Sequence, residues 1–204
     1  MDPPYLVESR DIRVISFTGS TKTGKAISAA GAPTLKLFQI QTELGGKTPM
    51  IVFEDADLEA APKVEKALTT FAGQFCMTGS RLLVQRTVAD RFRAPMTQRP
   101  QNVKVGPASD PSSDMGPFIT KANVNRVDRI VEGAIAAGAK ALVRGSPIPE
   151  GPLAMGAFYR PALLEVTDPK MSILQEKVFG PVSPCRFLIP RKMRCDSRTT
   201  ASTG

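Results

Sequence analysis

Two residues in this 204-residue chain have the types and setting for covalent chemistry together: Glu43 and Cys76. Glu43 opens the stretch Glu43-Leu44-Gly45-Gly46-Lys47, and Cys76 closes Gly73-Gln74-Phe75-Cys76. A thiol is a strong nucleophile even when only a small fraction is ionised, and a carboxylate in reach can act as base. A carboxylate on a glycine loop and a thiol just past a helix can meet in space. The plain alternative is a solvated carboxylate and a cysteine that packs as a small apolar residue. Composition narrows the field. The chain has no histidine, which removes Ser-His-Asp and Cys-His catalysis and histidine-ligated metals. Its three cysteines (Cys76, Cys185, Cys195) are too far apart for zinc and suggest no disulfide framework. No metal site is expected, and a reducing cytoplasm is the default location. There is no Gly-x-Ser-x-Gly elbow and no Ser-x-x-Lys of the penicillin-binding type. The remaining plausible nucleophile is a cysteine.

The elements that must position these residues alternate between strand and helix. Arg13–Phe17 reads as a buried strand, and Thr18-Gly19-Ser20-Thr21 turns it into an alanine-rich helix over Lys22–Ala30. Such a turn makes an anion site from free backbone N–H groups, or is simply a helix start with Ser20 as N-cap. Leu35–Ile40 is predicted as a second strand leading to Glu43, and Pro49–Phe53 as a third. A helix capped by Asp57 runs to about Thr70 and ends near Gly73, which puts Cys76 on a loop before the strand Ser80–Gln85. Thr87–Met96 reads as a short helix. Lys121–Ala137 is a long amphipathic one, with Val124, Val127, Ile130, Val131 and Ile135 on one face. Gly138 then ends it before the strand Lys140–Val143, which suggests a crossover in a parallel sheet. Tyr159–Val166 reads as a strand, and Cys185 falls in another. The predicted class is α/β: an open, mostly parallel sheet with flanking helices.

Two stretches nearly match a Walker phosphate loop. Gly19-x-x-x-x-Gly24-Lys25 is followed by Ala26 where a hydroxyl is needed, and Gln41 stands where Gly45-Gly46-Lys47-Thr48 requires its first glycine. Both fail. The net charge is +8, from 27 basic and 19 acidic residues, and +3 of it comes from Ile189–Gly204. No basic stripe interleaves with aromatics, so no nucleic-acid partner is expected. No apolar run approaches a membrane span, and the N-terminus lacks a signal-peptide pattern.

Taken in order, Phe17-Thr-Gly-Ser-Thr21, Glu43-Leu-Gly-Gly-Lys47, Asp55-Ala-Asp-Leu58, Gly73-Gln-Phe-Cys76, Met115-Gly-Pro117 and Phe179-Gly-Pro-Val182 resemble the aldehyde dehydrogenase superfamily over roughly Ile12–Phe187. The resemblance implies that Cys76 attacks an aldehyde, that hydride leaves to NAD or NADP, and that Glu43 activates the water that hydrolyses the thioester. It implies Phe17, Gly19, Ser20, Leu44 and Phe179 as cofactor-binding residues. An ester could enter the same scheme at the thioester stage with no cofactor, and an inactive fragment is the third reading. Small-molecule aldehydes or esters are the expected partners.

The resemblance also implies a truncated member of the family. Residues 1–45 would be a remnant of the dinucleotide-binding domain, 46–188 a catalytic domain, and 189–204 a basic, disordered tail. An unpaired strand edge in the remnant invites homo-oligomers. One departure stands out: Lys177 occupies the place of a family glutamate that holds the nicotinamide ribose, and a lysine cannot accept those hydrogen bonds. NAD(P) binding is therefore expected to be weak or absent in this chain.

Overall fold

The computed structural model describes residues 3–35, 39–58 and 61–189. They fall into two compact units, one up to Gly46 and one from Lys47 onward.

The first unit holds helix α1 (Pro3–Glu8), strand β1 (Ile15–Thr18), helix α2 (Thr21–Gly31) and strand β2 (Ile40–Glu43). β1 and β2 pair in parallel, Ile15 with Ile40 through to Thr18 with Glu43. The expected strand at Leu35–Ile40 begins only at Ile40. Leu35 takes a left-handed conformation (φ 58°) after a 3₁₀ turn over Ala32–Thr34, which an extended strand cannot contain, and residues 36–38 lie outside the described ones. β1 is not the buried strand expected of Arg13–Phe17. Its residues alternate half-buried and exposed, because among the described residues it has one partner strand rather than a neighbour on each side. Ser20 does cap α2: its hydroxyl accepts from the Thr23 N–H at 3.1 Å.

The second unit is built on a five-stranded sheet. Its strands are β3 (Thr48–Val52), β4 (Gly79–Gln85), β5 (Lys140–Val143), β8 (Ala162–Glu165) and β9 (Val182–Leu188), in the order β3-β4-β9-β8-β5. β3, β4, β9 and β8 run parallel, and every residue of β4 and β9 is buried. Strands covered on both faces need no polar alternation, which is why Leu82-Leu83-Val84 reads as a continuous apolar run. β5 corrects the sequence reading: it joins the edge antiparallel to β8, so the helix before it makes no parallel crossover. A short antiparallel pair, β6 (Ser146–Pro147) and β7 (Tyr159–Arg160), lies apart from the main sheet, and Pro161 separates β7 from β8 where one strand was expected.

Helices cover both faces of this sheet. On one side, α5 (Lys121–Ala136) and the short α6 (Ser172–Gln175) pack Val124, Val127, Val131, Ile173 and Leu174 against Ala162, Leu164 and Val182. Thr120 caps α5, and Gly138 at φ +100° ends it. On the other side, α4 (Ala89–Asn102) sets Phe92 and Met96 against Leu82, Val84, Leu163 and Phe187. α4 outruns the short helix expected at Thr87–Met96. It passes through Pro95 and Pro100 because Phe92, Met96 and Pro100, spaced by four, bury one continuous face that offsets the lost backbone bonds. α3 (Ala61–Thr69) is described from its second turn of sequence signal onward, and the residues just after the expected Asp57 cap lie outside the described ones. The basic tail expected at 189–204 likewise lies outside, apart from Ile189. No described helix is long and apolar enough to cross a membrane.

Candidate active site

Cys76 sits on a turn that two other loops, around residues 117–119 and 177–180, hold in place through three contacts. The chain leaves α3 through three successive left-handed residues, Phe71, Ala72 and Gly73 (φ 50°, 53° and 70°). Two of them carry side chains and are strained there. The next turn closes with the Thr78 N–H donating to the Phe75 carbonyl at 3.1 Å, and Cys76, exposed, is at its tip. The first support is Gly180. A Cβ on Gly73 would lie 2.2 Å from the Gly180 carbonyl oxygen, so the two backbones touch and only glycine fits. The second is Gln74. Its amide donates to the Phe71 carbonyl (3.0 Å) and the Pro117 carbonyl (3.5 Å), and its oxygen accepts from the Ile119 N–H (3.2 Å). The third is Lys177, whose ammonium donates to the carbonyls of Phe75 (2.8 Å) and Cys76 (2.6 Å). The Gly-Gln-Phe-Cys, Met-Gly-Pro and Phe-Gly-Pro-Val motifs, far apart in sequence, thus converge on one turn.

The electrostatics around this turn are cationic. Lys177 is half-buried, and desolvation holds its pKa below the usual lysine value, against the pull of the Cys76 thiolate. Lys47, at the start of the second unit, is 4% exposed, and its ammonium nitrogen has no hydrogen-bond partner among the described residues. Burial, then the charges of Arg81 and Lys177, lower it to about 7, with Glu176 opposing. The Arg81 guanidinium donates to the Lys47 carbonyl at 3.0 Å. Cys185 is buried, and burial pushes its thiol well up, as suits an inert packing residue.

Phe179 does not pack in the core. It is 46% exposed at φ 48°, and the Lys177 ammonium lies 5.0 Å from its ring centroid. Its backbone is held from α5, where Arg126 donates to the carbonyls of Val178 (2.8 Å) and Phe179 (3.4 Å).

The other candidate residues gather in the first unit. Glu43 ends β2 beside Thr18, and its carbonyl accepts from the Gly19 N–H at 3.0 Å. That bond engages one N–H of the turn and joins the Phe-Thr-Gly-Ser and Glu-Leu-Gly-Gly motifs directly. Phe17 lies over Gly19, so a Cβ there would be 2.4 Å from the ring, and Leu44 lies over Gly24 at 2.6 Å. Ser20, besides its cap, shares a 2.8 Å bond with the Thr23 hydroxyl. The Glu43 side chain is exposed at the last residue of β2. Among the described residues, no group of three carboxylate or thiol side chains could hold a metal ion.

Sequence reasoning missed Lys47, Gln74 and Arg126. Gln74 stands inside a motif and could have been singled out. Nothing in the text around Lys47 signals a buried amine.

The fold and this turn define a member of a known class. The family model described as "Aldehyde dehydrogenase family" matches residues 4–187, and the chain belongs to that family. It is 42% identical over 181 residues to betaine aldehyde dehydrogenase of Bacillus subtilis (strain 168), covering 87% of this chain and 36% of that protein. With betaine aldehyde dehydrogenase of Sinorhizobium fredii the identity is 39% over 181 residues, covering 88% and 36%. The crystal structure of betaine aldehyde dehydrogenase from Staphylococcus aureus in complex with NAD+ superposes with a TM-score of 0.86 at 34% identity, over 93% of this chain and 37% of that one. A mutant of aldehyde dehydrogenase from Bacillus cereus gives 0.85 at 31%, over 95% and 39%. The chain spans little more than a third of the length of these relatives.

Proposed function

We propose that Cys76 is the carbonyl-attacking nucleophile of an aldehyde dehydrogenase-type catalytic core, with Glu43 as the base that activates water. The observation that supports this reading is the exposed Cys76 turn, tied to two neighbouring loops through Gly180, Gln74 and Lys177. A nucleophile works only if it is both reachable and fixed. The thiolate forms a C–S bond to the carbonyl carbon, and the carbonyl π electrons move onto oxygen. The Cys76 backbone N–H donates to that oxyanion. With an aldehyde the adduct takes a proton and rests as a thiohemiacetal. With an ester, the oxyanion collapses, expels the alcohol as alkoxide and leaves a thioester. Glu43 then removes a proton from water, the oxygen attacks the thioester, thiolate departs and the acid is released.

Whole family members of this kind would oxidise the aldehyde with NAD or NADP as hydride acceptor, which the relatives named for betaine aldehyde support. In this chain the nicotinamide end of such a cofactor does not fit. The Lys177 ammonium already lies over Phe179 and on the Cys76 carbonyl, where a cationic ring would meet like charge. The chemistry open to these residues therefore stops at the adduct and its hydrolysis. The Lys177 contact favours the second reading, cofactor-independent hydrolysis of small esters.

The test is intact-mass analysis of the chain treated with an activated acetyl ester. One acetyl group on Cys76, and none in Cys76→Ala, is the expected result. Full ester turnover by Cys76→Ala would place the nucleophile elsewhere. Lys177→Glu should at the same time strengthen dinucleotide binding, read by calorimetry.

A further inference from the structure

Lys177 stands in a cationic setting that the chemistry above does not use. An ammonium has three N–H donors. Two are engaged by the Phe75 and Cys76 carbonyls, and no acceptor among the described residues takes the third. Arg126, Arg129 and Lys177 line a cavity of about 330 Å³ in which Glu176 is the one carboxylate. Lys47 lies close enough to feel the charges of both Arg81 and Lys177, and burial with those charges lowers it to about 7. Cys76 does not line that cavity; the cation that reaches its turn is Lys177, whose ammonium sits on the Cys76 carbonyl at 2.6 Å.

Resting on the reading of Cys76 as nucleophile, we propose that Lys177 makes this site select carbonyl substrates that carry a negative charge, aldehydes or esters with a carboxylate on the acyl chain, and reject cationic ones. The relatives named above are named for betaine aldehyde, whose quaternary ammonium would be repelled here. Specificity of this kind needs a repulsive element as well as an attractive one, and a fixed ammonium supplies both. Because Lys177 is only half-buried, the effect is screened by salt.

The full chain is treated with three methanethiosulfonates of similar size, one anionic (sulfonatoethyl), one neutral (methyl) and one cationic (trimethylammonioethyl). Rates at Cys76 are read by peptide mass mapping and normalised to a free thiol. The expected result is an anionic-to-cationic rate ratio of roughly tenfold or more, falling at high salt. Lys177→Arg should keep the ratio, Lys177→Met should bring it towards one, and Lys177→Glu should invert it. A ratio unmoved by both Lys177→Met and Lys177→Glu, each read against the neutral methyl reagent in the same variant, overturns the proposal alone. Failure of a neutral activated ester to acylate Cys76 overturns the nucleophile reading and this proposal with it.

Discussion

In the first unit, motif meets motif through small surface contacts: one backbone bond from Gly19 to Glu43, the Phe17 ring on Gly19 and Leu44 on Gly24. In the second, Gly73 presses on Gly180, Gly180 in turn lies against Val127 and Phe118, and those two belong to a buried cluster that includes Tyr159 and Leu164. Among the described residues, the second arrangement is backed by a buried cluster and the first is not. Local contacts can fix a turn's shape, but only packing transmits a distant change to it. The two regions should therefore answer mutation differently, the second cooperatively and the first locally.

The hardest blow to this contrast is Gly73→Val. The position needs positive φ and has a backbone carbonyl where Cβ would go. A loss on the order of 4 kcal/mol or more is expected in chemical unfolding, with acylation of Cys76 lost as well. A variant with wild-type stability would show that the Cys76 turn is not locked to its core.

Lys47→Met should go the other way. The lysine's pKa falls from its ordinary 10.5 to about 7 in the folded chain. Between those values the unfolded chain holds a proton that the folded chain does not, so unfolding takes up a proton and stability rises with pH across the window. Below about 7 both states are protonated and the full penalty stands. Replacing the amine by a methyl thioether of similar length should stabilise the chain at pH 7 by a few kcal/mol, up to about 4, and flatten its stability between pH 7 and 10. Denaturant midpoints at pH 7 and 9 check both points. An unchanged slope would mean that the ammonium finds a partner in solution.

What the sequence disclosed follows the same division. Elements fixed by local chemistry were legible: the Ser20 cap, the long apolar face of α5 and its Gly138 stop, the buried β4, and the loop that carries Cys76. Features that depend on what packs opposite were not. β5 pairs antiparallel because β8 offers that edge, and α4 survives two prolines because its face is buried. Lys177 was visible as an odd residue in its motif, but not that its ammonium would hold the Cys76 carbonyl from 101 residues away. Phe179 was visible as a motif residue, but its exposure and left-handed backbone were not.

Glu43→Gln tests whether the first unit's exposed carboxylate takes part in the second unit's chemistry. It should leave the acylation burst with an activated ester intact and slow the steady state roughly a hundredfold, the usual scale of a lost general base. Stopped-flow release of the chromophoric alcohol separates the two phases. A steady state equal to wild type would remove Glu43 from the mechanism and leave Cys76 in it.

Ser20→Ala is the smallest change and the most local. The hydroxyl accepts from the Thr23 N–H, and this is the interaction that fixes the first turn of α2. Its loss should cost about 1 kcal/mol, which is roughly a fivefold rise in amide exchange. Because no buried cluster among the described residues backs that turn, the rise should stay within α2, Thr21–Gly31, and leave β4 and β9 unchanged. Ser20→Asn, which can cap as well as serine, should restore protection, whereas a role in gripping a ligand would not be recovered so simply. Exchange that accelerates equally in α2 and in β4 would mean that the two units unfold together and that the contrast between them is one of appearance only.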